Sequence, residues 1–220
     1  MLGITDDITG ITRYTLSLLQ SLYKVKSDNH VLDLLISRNV SGFLNFKCDR
    51  INVNQSPLFV RNSLSNSLLN LFWKQVILYP KLSTKRVDGL HIPNEKPLFY
   101  KTCPTVMTIH DLGDYHSTKR TSSMRHFARR VFLPFSVRKA DHIIAVSHTT
   151  KNDIVRILKI PASKITVIPE AVSEKFRILN RLTNRCDKAN QRLIQFAHHN
   201  AWRKRVEELS GILENEMRKT

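Results

Sequence analysis

The sequence predicts an α/β protein built on a single doubly wound, mainly parallel sheet, with a C-terminal amphipathic helix packed back on it. The main observation is the segment 140–169, in which a β-branched run (142–146), a helical stretch and a second β-branched run (164–168) follow one another. Two strands joined by one helix within about thirty residues form a crossover unit, which requires parallel strands. Upstream of this unit, strands and helices of similar lengths also alternate, which is typical of sheets covered on both faces.

The helix of the crossover unit has start and stop signals. Thr150 and Asp153 have the spacing of a capping box, which predicts that the helix begins there with its free N–H groups satisfied. Ile154 and Leu158 give it an apolar face, and Pro161 ends it.

The other elements continue this alternation. Apolar residues at helical spacing predict amphipathic helices over 10–25 and 62–82. Short apolar runs predict strands at 2–5, 31–36, 51–53, 87–92 and 105–109. Residues 1–178 are therefore predicted to form one domain.

The character of the chain changes after residue 178. Residues 179–197 are polar and predict a linker, whereas 198–220 predicts a helix whose apolar face includes Trp202, Val206 and Leu209. Because an isolated helix of this length is marginal in water, we expect it to pack against the sheet domain.

The chain is strongly basic. It holds 35 Lys and Arg against 18 Asp and Glu among 220 residues, a net charge of +17. Such an excess favours an anionic partner, namely nucleic acid, acidic lipid or a phosphate-bearing substrate; the alternative is a solvated basic face without a specific role. Because no helix-turn-helix, zinc-finger or RNA-binding signature is present, no specific nucleic-acid partner is predicted.

Cysteine usage and hydropathy indicate a cytoplasmic location. Cys48, Cys103 and Cys186 are widely spaced and fit no metal-ligand pattern, so free thiols in a reducing compartment and no metal site are predicted. No apolar run approaches the length of a membrane span, and the first residues do not have the pattern of a secretory signal.

A stretch of interleaved basic and aromatic residues, 119–139, is predicted to form a helix. Its arginines Arg125, Arg129 and Arg130 lie near three phenylalanines. This composition suits the surface of an anionic membrane, and the predicted location then includes the inner membrane face. Alternatively, the phenylalanines lie in the core and the arginines in water.

Polar residues follow several predicted strands at their carboxyl ends, where open α/β sheets bind ligands. His110 follows the strand 105–109, and its imidazole can hydrogen-bond a ligand hydroxyl or phosphate or can cap the strand. Asp111 either binds ligand or caps a turn, and His91 either lines a cleft or packs in the interior. Ser147 is a helix N-cap or a phosphate neighbour, and Gly10 either admits a ligand close to the backbone or starts a helix.

Four segments carry a family resemblance. The pattern Ala-Asp-x-Ile-Ile-x-Val-Ser within 140–169, together with GITRY at 10–14, VDGLHIP at 87–93 and PTVMTIHDL at 104–112, resembles the N-terminal domain of family 4 (group 1) glycosyltransferases over roughly residues 3–178. Members of that family have two Rossmann-like domains in the GT-B architecture.

The resemblance implies transfer of a hexosyl or mannosyl group from a nucleotide sugar to a hydroxyl acceptor, with retention of configuration and without metal or cofactor, in cell-surface polysaccharide biosynthesis. The acceptor would be a glycan or a lipid-linked sugar. His110 would be the catalytic residue that faces the transferring sugar. The substrate-binding residues would be Gly10, Thr12, His91, Asp111 and Ser147.

The same resemblance predicts a truncated protein. Only about forty residues follow the first domain, so the chain would be the acceptor-binding half, with the family's final helix retained and most of the donor-binding domain missing. A separately encoded partner could supply that domain. The alternatives are a non-catalytic basic module, acting at a membrane surface or as a subunit, and a degenerate gene product.

Overall fold

The computed structural model describes residues 10–24, 32–36, 51–55, 87–95, 97–116, 124–171 and 202–219. The predicted strand at 2–5, the predicted helix at 62–82 and the predicted linker at 179–197 lie outside these residues, as do Cys48, Cys186 and the side chains of Thr12 and Arg125. The strands are β1 (Leu32–Ile36), β2 (Ile51–Gln55), β3 (Leu90–Ile92), β4 (Thr105–Ile109), β5 (His142–Ala145) and β6 (Ile165–Val167). The helices are α1 (Gly10–Lys24), α2 (Gly113–His116), α3 (Met124–Lys139), α4 (His148–Leu158) and α5 (Trp202–Met217).

Every described strand pair is parallel, as predicted. β1 pairs with β2, and the other four strands form a sheet in the order β3-β4-β5-β6. Ile92 lies opposite Met107, and Ile109 lies opposite Ala145, so the strands end nearly level. The residues that follow them therefore gather at one edge of the four-stranded sheet.

Helices cover both faces of this sheet. Successive residues of a strand point to opposite faces, so neighbouring residues belong to different core clusters. Met107 and Ile143 belong to a core cluster with residues of α3 and α4. Their neighbours Val106 and Ile144 belong to a second cluster with residues of α1 and α5. The doubly wound α/β architecture is thus confirmed.

The C-terminal helix packs back on the sheet domain. Val206 and Leu209 of α5 are buried with Tyr14 and Leu18 of α1. At the other end of α5, a Cβ atom on Gly89 would lie 3.2 Å from the sulfur of Met217. The apolar face of α5 is therefore buried against the sheet domain, as the sequence predicted.

The capping-box prediction for α4 is wrong by one turn. The helix begins at His148, and Ser147 is its N-cap, with extended backbone (φ −154°, ψ 161°). The Ser147 hydroxyl accepts a hydrogen bond from the Thr150 N–H at 3.0 Å, which satisfies one of the free donors of the first turn. Asp153 instead contacts His116 at 2.7 Å and Arg156 at 2.9 Å.

α3 contains a proline in its interior, and a side chain replaces the hydrogen bond that the proline cannot donate. Pro134 has no N–H to donate to the carbonyl of Arg130, four residues earlier. The Tyr115 hydroxyl donates to that carbonyl at 3.0 Å. This hydrogen bond also fixes the segment that follows β4 against α3.

Candidate functional site

The carboxyl edge of the four-stranded sheet collects polar side chains from four segments. We define the carboxyl edge as the residues that directly follow β3, β4, β5 and β6. They include Pro93, Asn94, Glu95, His110, Asp111, Ser147 and Glu170. Ligands of open α/β sheets bind at such an edge, so it is the candidate site.

His110 lies at the centre of this edge and uses both ring nitrogens. Nε2 lies 2.9 Å from the carbonyl oxygen of Pro93, and Nδ1 lies 2.8 Å from Oε1 of Glu170. Because a carbonyl only accepts, Nε2 carries a hydrogen and donates it. The ring also meets the Tyr14 ring edge-on at 4.8 Å, and the side chain is only 9% exposed.

Opposing effects set the protonation of His110. Burial alone lowers the pKa of this imidazole, but the hydrogen bonds to Glu170 and Pro93 and the charges of Glu95 and Glu170 raise it, and the net pKa lies above the usual value. The net effect favours the protonated form of His110, in which both ring nitrogens donate.

Glu95 holds the backbone of His110. Its Oε1 accepts the His110 N–H at 2.5 Å, and its Oε2 lies 3.6 Å from Nη2 of Arg129. Arg129 also donates to Asp114 Oδ2 and to the Asp111 carbonyl, both at 2.8 Å. The prediction that Arg129 contacts a membrane is untested, but these bonds engage the guanidinium within the protein.

His91 lies behind His110 rather than at the strand end. It is the middle residue of β3, and its Nε2 lies 2.9 Å from the hydroxyl of Thr108. Burial is the main cause that lowers the pKa of His91 to about 3, and the charge of His110 also lowers it. Tyr14 also hydrogen-bonds Thr108, and burial raises the pKa of its hydroxyl. A neutral His91 imidazole, hydrogen-bonded in the series Tyr14–Thr108–His91, fits the alternative that His91 packs in the interior.

The remaining predicted substrate-binding residues have structural contacts of their own. Gly10 is the first residue of α1, and a Cβ there would meet no atom within 4 Å. Asp111 is exposed, and its Oδ1 accepts the Gly113 N–H at 2.9 Å, which is the turn-capping alternative. Ser147 caps α4, as described above. The structure brings Asp111 and Ser147 to the carboxyl edge beside His110, and their substrate-binding roles are untested.

Helix N-termini converge on the same edge. In the first turn of α4, the Thr150 hydroxyl donates to the His110 carbonyl at 3.1 Å. Tyr14 lies near the start of α1 and packs against Trp202, the first residue of α5, at 5.4 Å between ring centroids. The free N–H groups and positive dipole ends of these helices favour anions near His110.

The outer face of α3 combines charge with exposed apolar side chains. Val131 and Phe135 are exposed, one turn apart, and Arg130 is exposed with its guanidinium 5.8 Å above the Tyr115 ring. Phe132, in contrast, packs against Phe99 at 4.9 Å. Of these two phenylalanines, Phe132 therefore packs within the protein, whereas Phe135 lies on the surface.

Three further findings concern the described residues. No group of His, Cys, Asp or Glu side chains among them is arranged to hold a metal ion. None of their helices combines the length and the apolar character that crossing a bilayer requires. The described cysteine, Cys103, is buried and forms no disulfide, and burial raises the pKa of its thiol.

A parallel sheet with helices on both faces, and with His110 at its carboxyl edge, defines an α/β domain of the Rossmann-like type. The comparison with known families gives a more specific result. The family model described as Glycosyltransferase Family 4 matches residues 8–176, about three quarters of the chain. The chain belongs to this family, as its sequence segments suggested. No curated protein matches it significantly.

Proposed function

We propose that this chain is the acceptor-side domain of a hexosyltransferase, of mannosyl type, that acts with retention of configuration and without metal or cofactor. Family membership establishes glycosyl transfer in general. The observation that supports charge stabilisation by this domain is His110, whose imidazole has a raised pKa and is held at the sheet edge where helix N-termini converge. The proposed donor is a nucleotide hexose, and the proposed acceptor is a glycan or a lipid-linked sugar of the cell surface.

The proposed reaction places its charge where this domain can stabilise it. Departure of a nucleoside diphosphate from the hexose develops negative charge on its phosphate oxygens. The His110 imidazolium and the N-terminus of α4, capped by Ser147, would lower the free energy of that charge. Asp111, whose side chain is 70% exposed, would hydrogen-bond hydroxyl groups of the acceptor.

The nucleotide itself needs a second wall opposite the carboxyl edge. We propose that a donor-binding domain, encoded separately or in the same gene, provides it. The 220 residues therefore bind acceptor but bind little nucleotide hexose when expressed on their own.

Saturation-transfer NMR on the purified 220-residue chain tests this proposal. The probes are a panel of hexose-terminated oligosaccharides and the nucleotide hexoses. We expect binding of at least one oligosaccharide, no micromolar binding of a nucleotide hexose, and no turnover. Asp111→Asn should weaken oligosaccharide binding by about tenfold, the size of one charged hydrogen bond, whereas Glu207→Gln on the exposed side of α5 should not.

Two results would contradict the proposal in different ways. Micromolar binding of a nucleotide hexose would show that this chain already contains a donor site. Failure of every oligosaccharide to bind would contradict the acceptor-binding role proposed for this domain. Thermal melting of each variant separates loss of binding from loss of folding.

A second candidate function is attachment to an anionic membrane, at the cytoplasmic face. The exposed pair Val131 and Phe135 favours it, because Arg130, Arg138 and Lys139 are exposed on the same helix. A lipid-linked acceptor would make this compatible with sugar transfer. As a non-catalytic module, the chain would bind vesicles without binding any oligosaccharide.

A further inference from the structure

Glu170 occupies the one exchangeable position on His110. Of the two ring nitrogens, Nε2 is bonded to the backbone carbonyl of Pro93, which belongs to the sheet edge and is buried. Nδ1 is bonded to the carboxylate of Glu170, whose side chain is 53% exposed while that of His110 is 9% exposed. A ligand can therefore reach the His110 ring through Nδ1 only if the Glu170 carboxylate leaves it.

The other charged and titratable groups around the ring do not compete for this position. Glu95 is directed to the backbone N–H of His110 and to Arg129 of α3. His91 on β3 bonds Thr108, and Tyr14 on α1 presents its ring edge-on. Among the described residues, Glu170 is thus the carboxylate bound directly to the imidazole.

We propose that the Glu170 carboxylate holds the place of an anionic substrate oxygen on His110 Nδ1, and that substrate binds by displacing it. Carboxylate and phosphate oxygens are both charged acceptors of an N⁺–H donor, whereas a sugar hydroxyl would leave the imidazolium without its counter-charge. The charge argument selects an anionic oxygen, and the proposed function narrows the ligand class to a diphosphate. The inference rests on the proposed function, because glycosyl transfer from a nucleotide sugar releases such a group.

NMR titration of the His110 ring in Glu170→Gln tests the exchange, with inorganic pyrophosphate as the probe. Glutamine keeps a hydrogen-bonding side chain but removes the charge, so the pKa of His110 should fall. At a pH where NMR shows the ring protonated in both proteins, pyrophosphate should bind at least threefold more tightly to Glu170→Gln than to the unchanged chain, because no charged group competes. The pyrophosphate should shift the Nδ1 resonance.

Glu207→Gln is the matched control, because the Glu207 side chain is 54% exposed and its loss changes the net charge equally. The proposal is wrong if both variants change pyrophosphate affinity alike, if the His110 resonances do not respond to pyrophosphate, or if the pKa of His110 is the same in Glu170→Gln. Glu170→Asp keeps the charge on a shorter side chain. Its pyrophosphate affinity should therefore lie between those of the unchanged chain and of Glu170→Gln. These readouts require no sugar transfer, so they stay informative if the proposed substrates are incorrect.

Discussion

His91 and His110 show how partners, rather than burial, decide the charge of a histidine. Both rings are removed from water, and for both of them burial lowers the pKa. His110 has a carboxylate on Nδ1 and a carbonyl on Nε2, which outweigh burial, whereas His91 has a neutral hydroxyl from Thr108. The pKa values of these two imidazoles therefore shift in opposite directions, and the two groups stabilise the fold over opposite pH ranges.

Acid should destabilise the protein through His91. Its pKa is about 3 in the folded chain and close to the ordinary 6.5 when unfolded, so its contribution is complete above pH 6.5 and is lost as the pH falls towards 3. The slope for one such group is at most about 1.4 kcal/mol per pH unit. Urea denaturation at pH 7 and pH 4.5 should show a smaller loss for His91→Gln than for the unchanged chain.

An exposed histidine of α4, His148, provides the control for this measurement. His110 does not, because its charge helps to lower the pKa of His91, and its own raised pKa makes its contribution present below pH 6.5 and lost as the pH rises through the folded value. His148→Gln should leave the acid sensitivity unchanged. An equal loss of stability on acidification in the unchanged chain and in His91→Gln would contradict the assigned charge state of His91.

At the scale of elements, the periodicity of apolar residues predicted which helices and strands form, whereas the local backbone conformation decided where the helix α4 begins. The strands β3 to β6 and the helices α1 and α5 lie where alternating or helical apolar patterns placed them. The start of α4 was misplaced because Thr150 and Ser147 both suit a cap. Only the extended backbone left by β5 makes Ser147 the residue whose hydroxyl reaches the Thr150 N–H.

The contribution of α5 can be measured by one truncation. Leu209 is 3% exposed and packs between α1 and the sheet, so Leu209→Ala should lower the free energy of unfolding by about 2–4 kcal/mol through lost contacts and a cavity. Asn215→Ala, on the exposed side of the same helix, should change it by less than about 0.5 kcal/mol. Equal, small effects in chemical denaturation would mean that α5 is not docked in solution.

For the molecule as a whole, the sequence predicted the architecture and some of the residues that meet at the candidate site. His110 was predictable because it follows a buried strand at the ligand-binding edge. Glu170 and Glu95 were not predicted, since they lie 60 and 15 residues away from His110 along the chain and reach it only through sheet pairing. The strand-end pattern that marked His110 also applies to the residues after β3 and β6, and it was the available signal for both.

The excess of basic residues also acts at this scale, because it gives the whole molecule a positive field. A net charge of +17 attracts any anionic surface, but this attraction extends only about 8 Å at physiological salt. Stable attachment to a bilayer also needs apolar side chains that enter it. Among the described side chains of α3, Val131 and Phe135 are the exposed apolar ones, which makes them, and not Arg129, the residues to change.

We expect the 220-residue chain to co-sediment with phosphatidylcholine vesicles that contain about one third phosphatidylglycerol, and not with vesicles of phosphatidylcholine alone. Removing the Val131 and Phe135 side chains together, as V131S and F135S, should weaken this binding roughly thirtyfold or more, since each would bury apolar area worth about 1 kcal/mol or more. Arg130→Gln should weaken it more than Arg203→Gln, although each removes one exposed arginine charge. If the two arginine variants behave alike and the apolar double variant binds normally, the attraction is the field of the whole molecule, and α3 is not a membrane-binding surface.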